Sequence, residues 1–467
     1  MSKKKNNRSG LRPGRKYGKT STIKTTKKVK CKILFITIFL NCFYSFAKEY
    51  YVAPNGKDSN TGTKDSPVET IKKAQTLANS GDTIYIRGGL YMMKEEQIAQ
   101  YYKIWAFVTK LDKDGINYLA YPNEAPVFNY SNIKPENRRV IAFLISGNNI
   151  KIKGIEVTGV QVTIKTHTQS ECFAIQGNNN TLEQLKMYDN MAIGVYITRG
   201  SNNLILNCDA YRNWDSVSEN GAGGNTDGFG CHAPQGNKNN VFRGCRAWFN
   251  SDDGFDLINS AEPVLIDHCW AFYNGYTFDF KKRADGNGFK CGGYASTPLN
   301  QLPNPIPRNT IQFCLAVGNK QGGFYSNHHL NGNNWYNNTA YRNRANYDML
   351  NRKDLKPIDY LEDVPGWNHV LSNNLGYGAR GAELVNIKKS ACTLKNNYFD
   401  LSVMIKDSDF LSLDESFLTS PRQVDGNLPE NNFMRLNSSC PIIDAGVDIG
   451  FPFKGKAPDL GCFESKY

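Results

Sequence analysis

Apolar and polar residues alternate in short runs through most of the chain, and Asn and Gly punctuate the runs. Alternation of period two predicts strands, and runs this short predict short ones. The runs also repeat. Asn203-Leu-Ile-Leu-Asn-Cys-Asp-Ala-Tyr-Arg-Asn213 aligns with Asn240-Val-Phe-Arg-Gly-Cys-Arg-Ala-Trp-Phe-Asn250 and with Val264-Leu-Ile-Asp-His-Cys-Trp-Ala-Phe-Tyr-Asn274. Two more copies end at Asn319 and Asn343, and weaker ones cover 180–190, 368–378 and 392–400. The shared Ala falls at 210, 247, 271, 316 and 340, at intervals of 37, 24, 45 and 24. The short intervals predict a bare coil and the long ones a coil carrying a loop. A unit of roughly 22–25 residues with short strands and a fixed Asn predicts an all-β solenoid, a parallel β-helix. A helical repeat fails, because the copies are rich in Asn, Gly and β-branched or aromatic residues and lack a 3.6 period.

Stacked coils place equivalent residues about 4.8 Å apart. Cys208, Cys245, Cys269 and Cys314 occupy one such column, read as inward thiols acting as small hydrophobes. Asn213, Asn250, Asn274, Asn319 and Asn343 form another, expected to serve neighbouring backbone groups at a turn. A solenoid needs covered ends. Residues 48–130 are expected to form an N-terminal cap, with a strand at Tyr50, an amphipathic helix from Pro67 and a returning strand at Ile84. The coils proper are assigned to 131–405 and a C-terminal cap to 406–467.

The 467 residues carry 56 Lys+Arg against 43 Asp+Glu. Thirteen of the basic residues lie in 1–47, which holds no acid, so the remainder is balanced at 43 against 43. A neutral body argues against nucleic-acid binding. The basic stretch runs into an apolar segment from Ile33 to Tyr44 and then Ser45-Phe46-Ala47, which predicts a secretory signal over 1–47 and a secreted chain, extracellular or periplasmic. No later apolar stretch is long enough to span a membrane. A monomer is expected. No C-x-x-C pair occurs among the twelve cysteines, and Cys440 with Cys462 is the one pair expected to be bridged.

A further register follows the Asn column. It reads Asp227-Gly-Phe-Gly-Cys231, Asp253-Gly-Phe-Asp-Leu257, Asn287-Gly-Phe-Lys-Cys291 and Gly322-Gly-Phe-Tyr-Ser326. If Phe229, Phe255, Phe289 and Phe324 point inward, then Gly230, Asp256, Lys290 and Tyr325 point outward in one line. Asp227, Asp252, Asp253 and Asp256 then crowd together on the outer surface. Carboxylates so close raise one another's pKa, and a hard divalent cation such as Ca²⁺ relieves that cost. Lys290 should lie one coil from Asp256. Beside a bound cation its pKa should fall, as a general base near neutral pH requires. The bland reading is an Asp–Lys surface ladder without metal.

These motifs, with the opening Tyr51-Val-Ala-Pro-Asn-Gly and Gly81-Asp-Thr-Ile-Tyr-Ile, resemble polysaccharide lyase family nine over about residues 50–400. The resemblance implies a right-handed parallel β-helix and one catalytic Ca²⁺. It implies Asp227, Asp252, Asp253 and Asp256 as metal ligands and Lys290 as the base. Cys291 stands where a larger aliphatic is commoner, and it is expected to point inward. The implied reaction is β-elimination on an anionic plant cell-wall polysaccharide, pectate or rhamnogalacturonan. Lys281, Lys282, Arg283 and Arg308 are candidate substrate-binding cations, with His328 and His329 as weaker ones. A pectic hydrolase would use two carboxylates without the lysine, and an epimerase would leave chain length unchanged. A non-catalytic carbohydrate-binding or adhesin β-helix would keep the aspartates as a structural site.

Overall fold

The computed structural model describes residues 47–295, 297–352 and 363–467. The predicted signal over 1–47 lies outside the described residues apart from Ala47. Three long sheets of twelve, ten and eleven strands run side by side. Nearly every pairing within them is parallel, and each coil gives one strand to each sheet. One coil reads Leu204–Leu206 in the first sheet, Asp209–Tyr211 in the second and Phe229–Cys231 in the third. No helix among the described residues is long and apolar enough to cross a membrane.

The repeat aligned from sequence is the stacking register. Ala210, Ala247, Ala271, Ala316 and Ala340 are paired coil to coil. Inside the third sheet Phe229, Phe255, Phe289 and Phe324 stack with ring centroids 5.0, 4.9 and 5.0 Å apart. Offset stacking at this spacing adds to the burial of each ring. Cys208, Cys245, Cys269 and Cys314 are fully buried in one column. The Cys269 N–H points at the Cys314 sulfur, and the Cys314 N–H donates to Asn338 Oδ1 at 3.0 Å. Asn338, Asn374 and Asn397 continue that column, so the thiols stand where later coils use Asn.

The predicted Asn column is a hydrogen-bonded ladder. Asn213 Nδ2 donates to Asn250 Oδ1 at 2.9 Å, Asn250 to Asn274 at 3.0 Å, Asn274 to Asn319 at 2.9 Å and Asn319 to Asn343 at 2.9 Å. The second amide hydrogen of each goes to a backbone carbonyl, as from Asn274 to Ala247 at 3.0 Å. A parallel column through Asn180, Asn203 and Asn240 does the same at the first sheet.

The sheets run through residue 130 without a break. Glu49–Val52 pairs with Thr83–Ile86, and that strand pairs with Asn117–Ala120. The segment expected to cap the solenoid thus supplies coils of its own as well as a helix, Ile71–Leu77, whose Ile71 and Ala74 are buried in the core. Residues 406–467, expected at the far end, lie along the flank. Phe410, Leu418, Phe433 and Ile442 pack on Trp270, Phe272, Leu315 and Val317, which project from the outer face of the second sheet. Buried Asp209 receives Arg246 at 2.9 Å and Arg422 at 2.6 Å, which pins this segment to a coil in the middle of the stack. Cys440 and Cys462 are free buried thiols in that cluster, contrary to the expected bridge. Apolar packing of the segment on the second sheet already fixes it there.

Asn203 has both amide hydrogens and its oxygen engaged while fully buried. Asn203→Ala leaves the Asn180 N–H and the Gly177 carbonyl of the preceding coil without their side-chain partner and should cost about 2–4 kcal/mol. A urea midpoint moved by less than about 0.5 kcal/mol equivalent would show that the column does not carry this load.

Candidate active site

The outward row of the third sheet reads Tyr196, Gly230, Asp256, Lys290, Tyr325 and Asp348, paired coil to coil as the alternation requires. Lys290 Nζ lies 3.1 Å from Asp256 Oδ2 and 3.0 Å from Asp253 Oδ2. Its side chain is 12% exposed and that of Asp253 is fully buried. Oxygens of Asp227, Asp253 and Asp256 come within 4.8 Å of one another, and so do those of Asp252, Asp253 and Asp285. The four aspartates singled out in the sequence therefore meet in one place, with Asp253 common to both groups.

Backbone N–H groups hold each carboxylate through Oδ1. Asp227 accepts from Asp253 N at 3.0 Å, Asp252 from Asp285 N at 3.1 Å and Asp256 from Ile258 N at 2.7 Å. Asp253 accepts from Asn287 N at 2.7 Å and from its Nδ2 at 2.9 Å. Asp253 Oδ2 is buried and accepts no well-directed hydrogen bond, although Nζ is near. Gly254 makes this approach possible, since a Cβ there would lie 2.6 Å from the Gly288 carbonyl oxygen of the next coil.

Burial, and then the neighbouring carboxylates, push Asp227 and Asp252 well above the ordinary range. Burial also raises Asp253, to about 6, against the opposing pull of Lys290. Burial works to lower Lys290, but Asp253, Asp256, Asp252 and Asp227 outweigh it and hold the ammonium well above its ordinary value. The depression expected for Lys290 belongs to a site that holds a cation; facing the carboxylates alone, the lysine stays charged. Four carboxylates against one ammonium, all oxygen donors and one of them orphaned, fit a hard divalent cation.

Two groups beside Asp256 escaped sequence reading. The Tyr196 hydroxyl is hydrogen-bonded to His232 Nδ1, and their rings meet edge-on at 4.7 Å. Gly230 leaves the space for Tyr196, because a Cβ there would be 2.7 Å from Cδ2 of that ring. Burial lowers His232 to about 4, so it is neutral. Asp285 and Asn287, which border the aspartates, were passed over as parts of a motif. The signal available for Asn287 was its alignment with Asp227 and Asp253.

The candidate substrate cations are scattered. Lys281 is exposed and paired with Asp279 at 2.8 Å. Lys282 is exposed on the same loop. The Arg283 guanidinium stacks over Trp214 at 4.1 Å. Arg308 sits beyond the opposite end of the strand, where it donates to the Asn331 carbonyl at 3.1 Å and Asn334 Oδ1 at 3.3 Å. His328 pairs with Asp363 at 2.6 Å, and buried His329 reaches the Pro307 carbonyl at 2.8 Å.

Comparison with known proteins agrees with this geometry. Residues 50–370 match the family described as Pel9A-like, right handed beta helix region. Pectate lyase L of Dickeya dadantii (strain 3937) is 35% identical over 426 residues, covering 89% of this chain and 90% of that protein. Among solved structures, a rhamnogalacturonan lyase superposes with TM-score 0.79 at 43% identity, covering 84% of this chain and 97% of that one. Pectate lyase Pel9A gives TM-score 0.71 at 32% identity, covering 90% and 97%. The chain belongs to the Pel9A-like right-handed β-helix family. It is a polysaccharide lyase, of family nine as its motifs imply.

The raised aspartates have a consequence for stability. Native Asp253 binds a proton up to about pH 6, whereas an unfolded carboxyl loses it near 4. The native state holds the extra proton in that window, so stability falls as pH rises through it. In chelator, Asp253→Asn should gain stability relative to the unaltered chain between about pH 4 and pH 7. A constant or opposite difference in unfolding midpoints would contradict the raised value.

Proposed function

We propose that the protein is a secreted, calcium-dependent lyase that cleaves galacturonate-containing pectic polymers by β-elimination with Lys290 as general base. The observation that carries this reading is the meeting of four carboxylates with one lysine on adjacent strands of the third sheet. The relatives named above, pectate lyases and a rhamnogalacturonan lyase, supply the substrate class. Asp227, Asp252, Asp253 and Asp256 would hold Ca²⁺. When bound, Ca²⁺ neutralises carboxylates and draws charge from the substrate's own carboxylate, which acidifies the proton at C5.

The chain's residues do the rest. Lys290 must be neutral to accept a proton at Nζ. Asp253 and Asp256 hold it charged while they face it alone, and would release that hold if committed to a bound cation. Nζ then takes the C5 proton. The electron pair forms the C4–C5 double bond and the glycosidic oxygen leaves C4. Backbone N–H groups keep the carboxylates aimed throughout, so little reorganisation is needed at the moment of reaction. The tight grouping of the acids on one side of the lysine weighs against a hydrolase, whose two carboxyls flank the bond.

Absorbance of the unsaturated product, followed on polygalacturonate and on rhamnogalacturonan with calcium and with chelator, tests the reading. Turnover should need calcium, and the faster polymer names the substrate. Lys290→Ala should lose at least about 10³-fold in kcat while calcium still raises the unfolding midpoint. Near-normal turnover by that variant, or turnover undiminished in chelator, would refute the assignment.

A further inference from the structure

The corner between the second and third sheets changes character along the solenoid. The residue after each ladder Asn is Trp214, Ser251 and Gly275 in the coils that carry the aspartates and Lys290. In the next two coils it is Lys320 and Arg344. Arg380 takes the place in the coil after that, its N–H donating to the Asn343 carbonyl as that of Lys320 does to Asn274. Three cations thus follow one another at about 4.8 Å per coil, starting one coil beyond Lys290.

These side chains line a single cavity of about 350 Å³ with Tyr276, Gln321 and Lys282. Arg380 donates to the Tyr276 hydroxyl at 2.8 Å, and Lys320 Nζ to the Arg283 carbonyl at 3.0 Å, so both are held in place by neutral acceptors. Arg344 Nη1 donates to Gln321 Oε1 at 3.3 Å, and the residue is exposed. Among the described residues none of the four cations has a carboxylate partner within ion-pair distance. In a body whose charges balance, four unpaired cations around one cavity form a local positive field. The cavity is tied to the catalytic centre by one segment. Lys282 opens it, and at its other end Asp285 N and Asn287 N bind Asp252 and Asp253.

The geometry points to a distal anion subsite at this corner, formed by Lys282, Lys320, Arg344 and Arg380, which takes carboxylates of uronate residues in the same polymer that is cleaved at Lys290. This inference rests on the proposed action on a uronate polymer. Lysine ammonium and arginine guanidinium suit carboxylates, and a ladder of them along the axis suits a chain with a charge on each uronate rather than one small anion.

The subsite acts on long substrate and not on the chemistry, which gives the test. KM and kcat are measured on the preferred polymer and on the shortest oligomer of it that is cleaved, for the native chain and for Arg344→Glu. Arg344→Glu should raise KM for the polymer about 5-fold or more and flatten its salt dependence. The kcat and the KM for the short oligomer should stay within about 2-fold, with an unchanged unfolding midpoint. An unchanged polymer KM, or an equal rise for both lengths, would overturn the subsite. If the native chain makes no unsaturated product, the proposed activity fails separately. Titration of both chains with polygalacturonate and with a neutral glucan then decides the corner. Tighter polygalacturonate binding by the native chain supports it, and equal binding by the two chains overturns it.

Discussion

A single coil of this solenoid is too thin to bury a core, so every other feature depends on contact between successive coils. Parallel strands satisfy most of the backbone. The turns between sheets do not pair as strands, and buried amides there would be orphaned. The Asn columns solve this, since a side chain such as that of Asn274 serves backbone groups of the preceding coil and the Asn of the next. Inside, columns of like residues follow from the same register. Rings stack on rings and thiols on thiols because the spacing allows little else.

That rigidity lets the protein hold an arrangement that is unfavourable by itself. Four carboxylates sit together with little access to water, and burial, then the field of the group, raises several of them. One lysine compensates only part of the charge. A flexible loop would relieve the repulsion by moving apart. Here the carboxylates are fixed by backbone N–H groups whose positions are set by the coils. A cation held there, as proposed, would relieve that repulsion.

Much of this was legible in the sequence because β-helix register is a one-dimensional code. Aligning Asp253-Gly-Phe-Asp with Asn287-Gly-Phe-Lys was enough to put Asp256 beside Lys290, which the structure bears out at 3.1 Å. The strands at Glu49–Val52 and Thr83–Ile86 and the helix between them were legible, but their stacking as coils was not, because they lack the Cys/Asn-x-Ala signature of the later copies. The flank segment was missed for a similar reason. Its contacts fall on the outer faces of Trp270 and Phe272, and a repeat pattern says nothing about what covers an outer face. Tyr196 and His232 come from two different coils and meet only because Gly230 has no side chain. Sequence gives the neighbours of Lys290 but not the balance of their fields: with the carboxylates facing it alone they outweigh burial and hold the ammonium charged.

The placement of the acids shows how a site can be built into such a fold at small cost to its frame. Asp227, Asp253 and Asn287 occupy one column, and each accepts the N–H of the residue one coil on, at 3.0, 2.7 and 3.0 Å. The column requires only an acceptor oxygen at that point. Asn and Asp supply it equally through Oδ1. Where the residue is Asn the second group is a neutral amide. Where it is Asp the second group is an ionisable oxygen left over from the ladder, and that of Asp253 lies 3.0 Å from Lys290 Nζ. The coil-to-coil hydrogen bond survives the exchange, so the frame does not distinguish a structural coil from a charged one. What does distinguish them is electrostatic. Two successive coils carry the charge and the third returns to Asn287, at the coil where Lys290 appears on the neighbouring strand. A third acid in that column would pull further on the Lys290 proton and hold the ammonium more firmly. The neutral Asn preserves the ladder while limiting the field on Lys290.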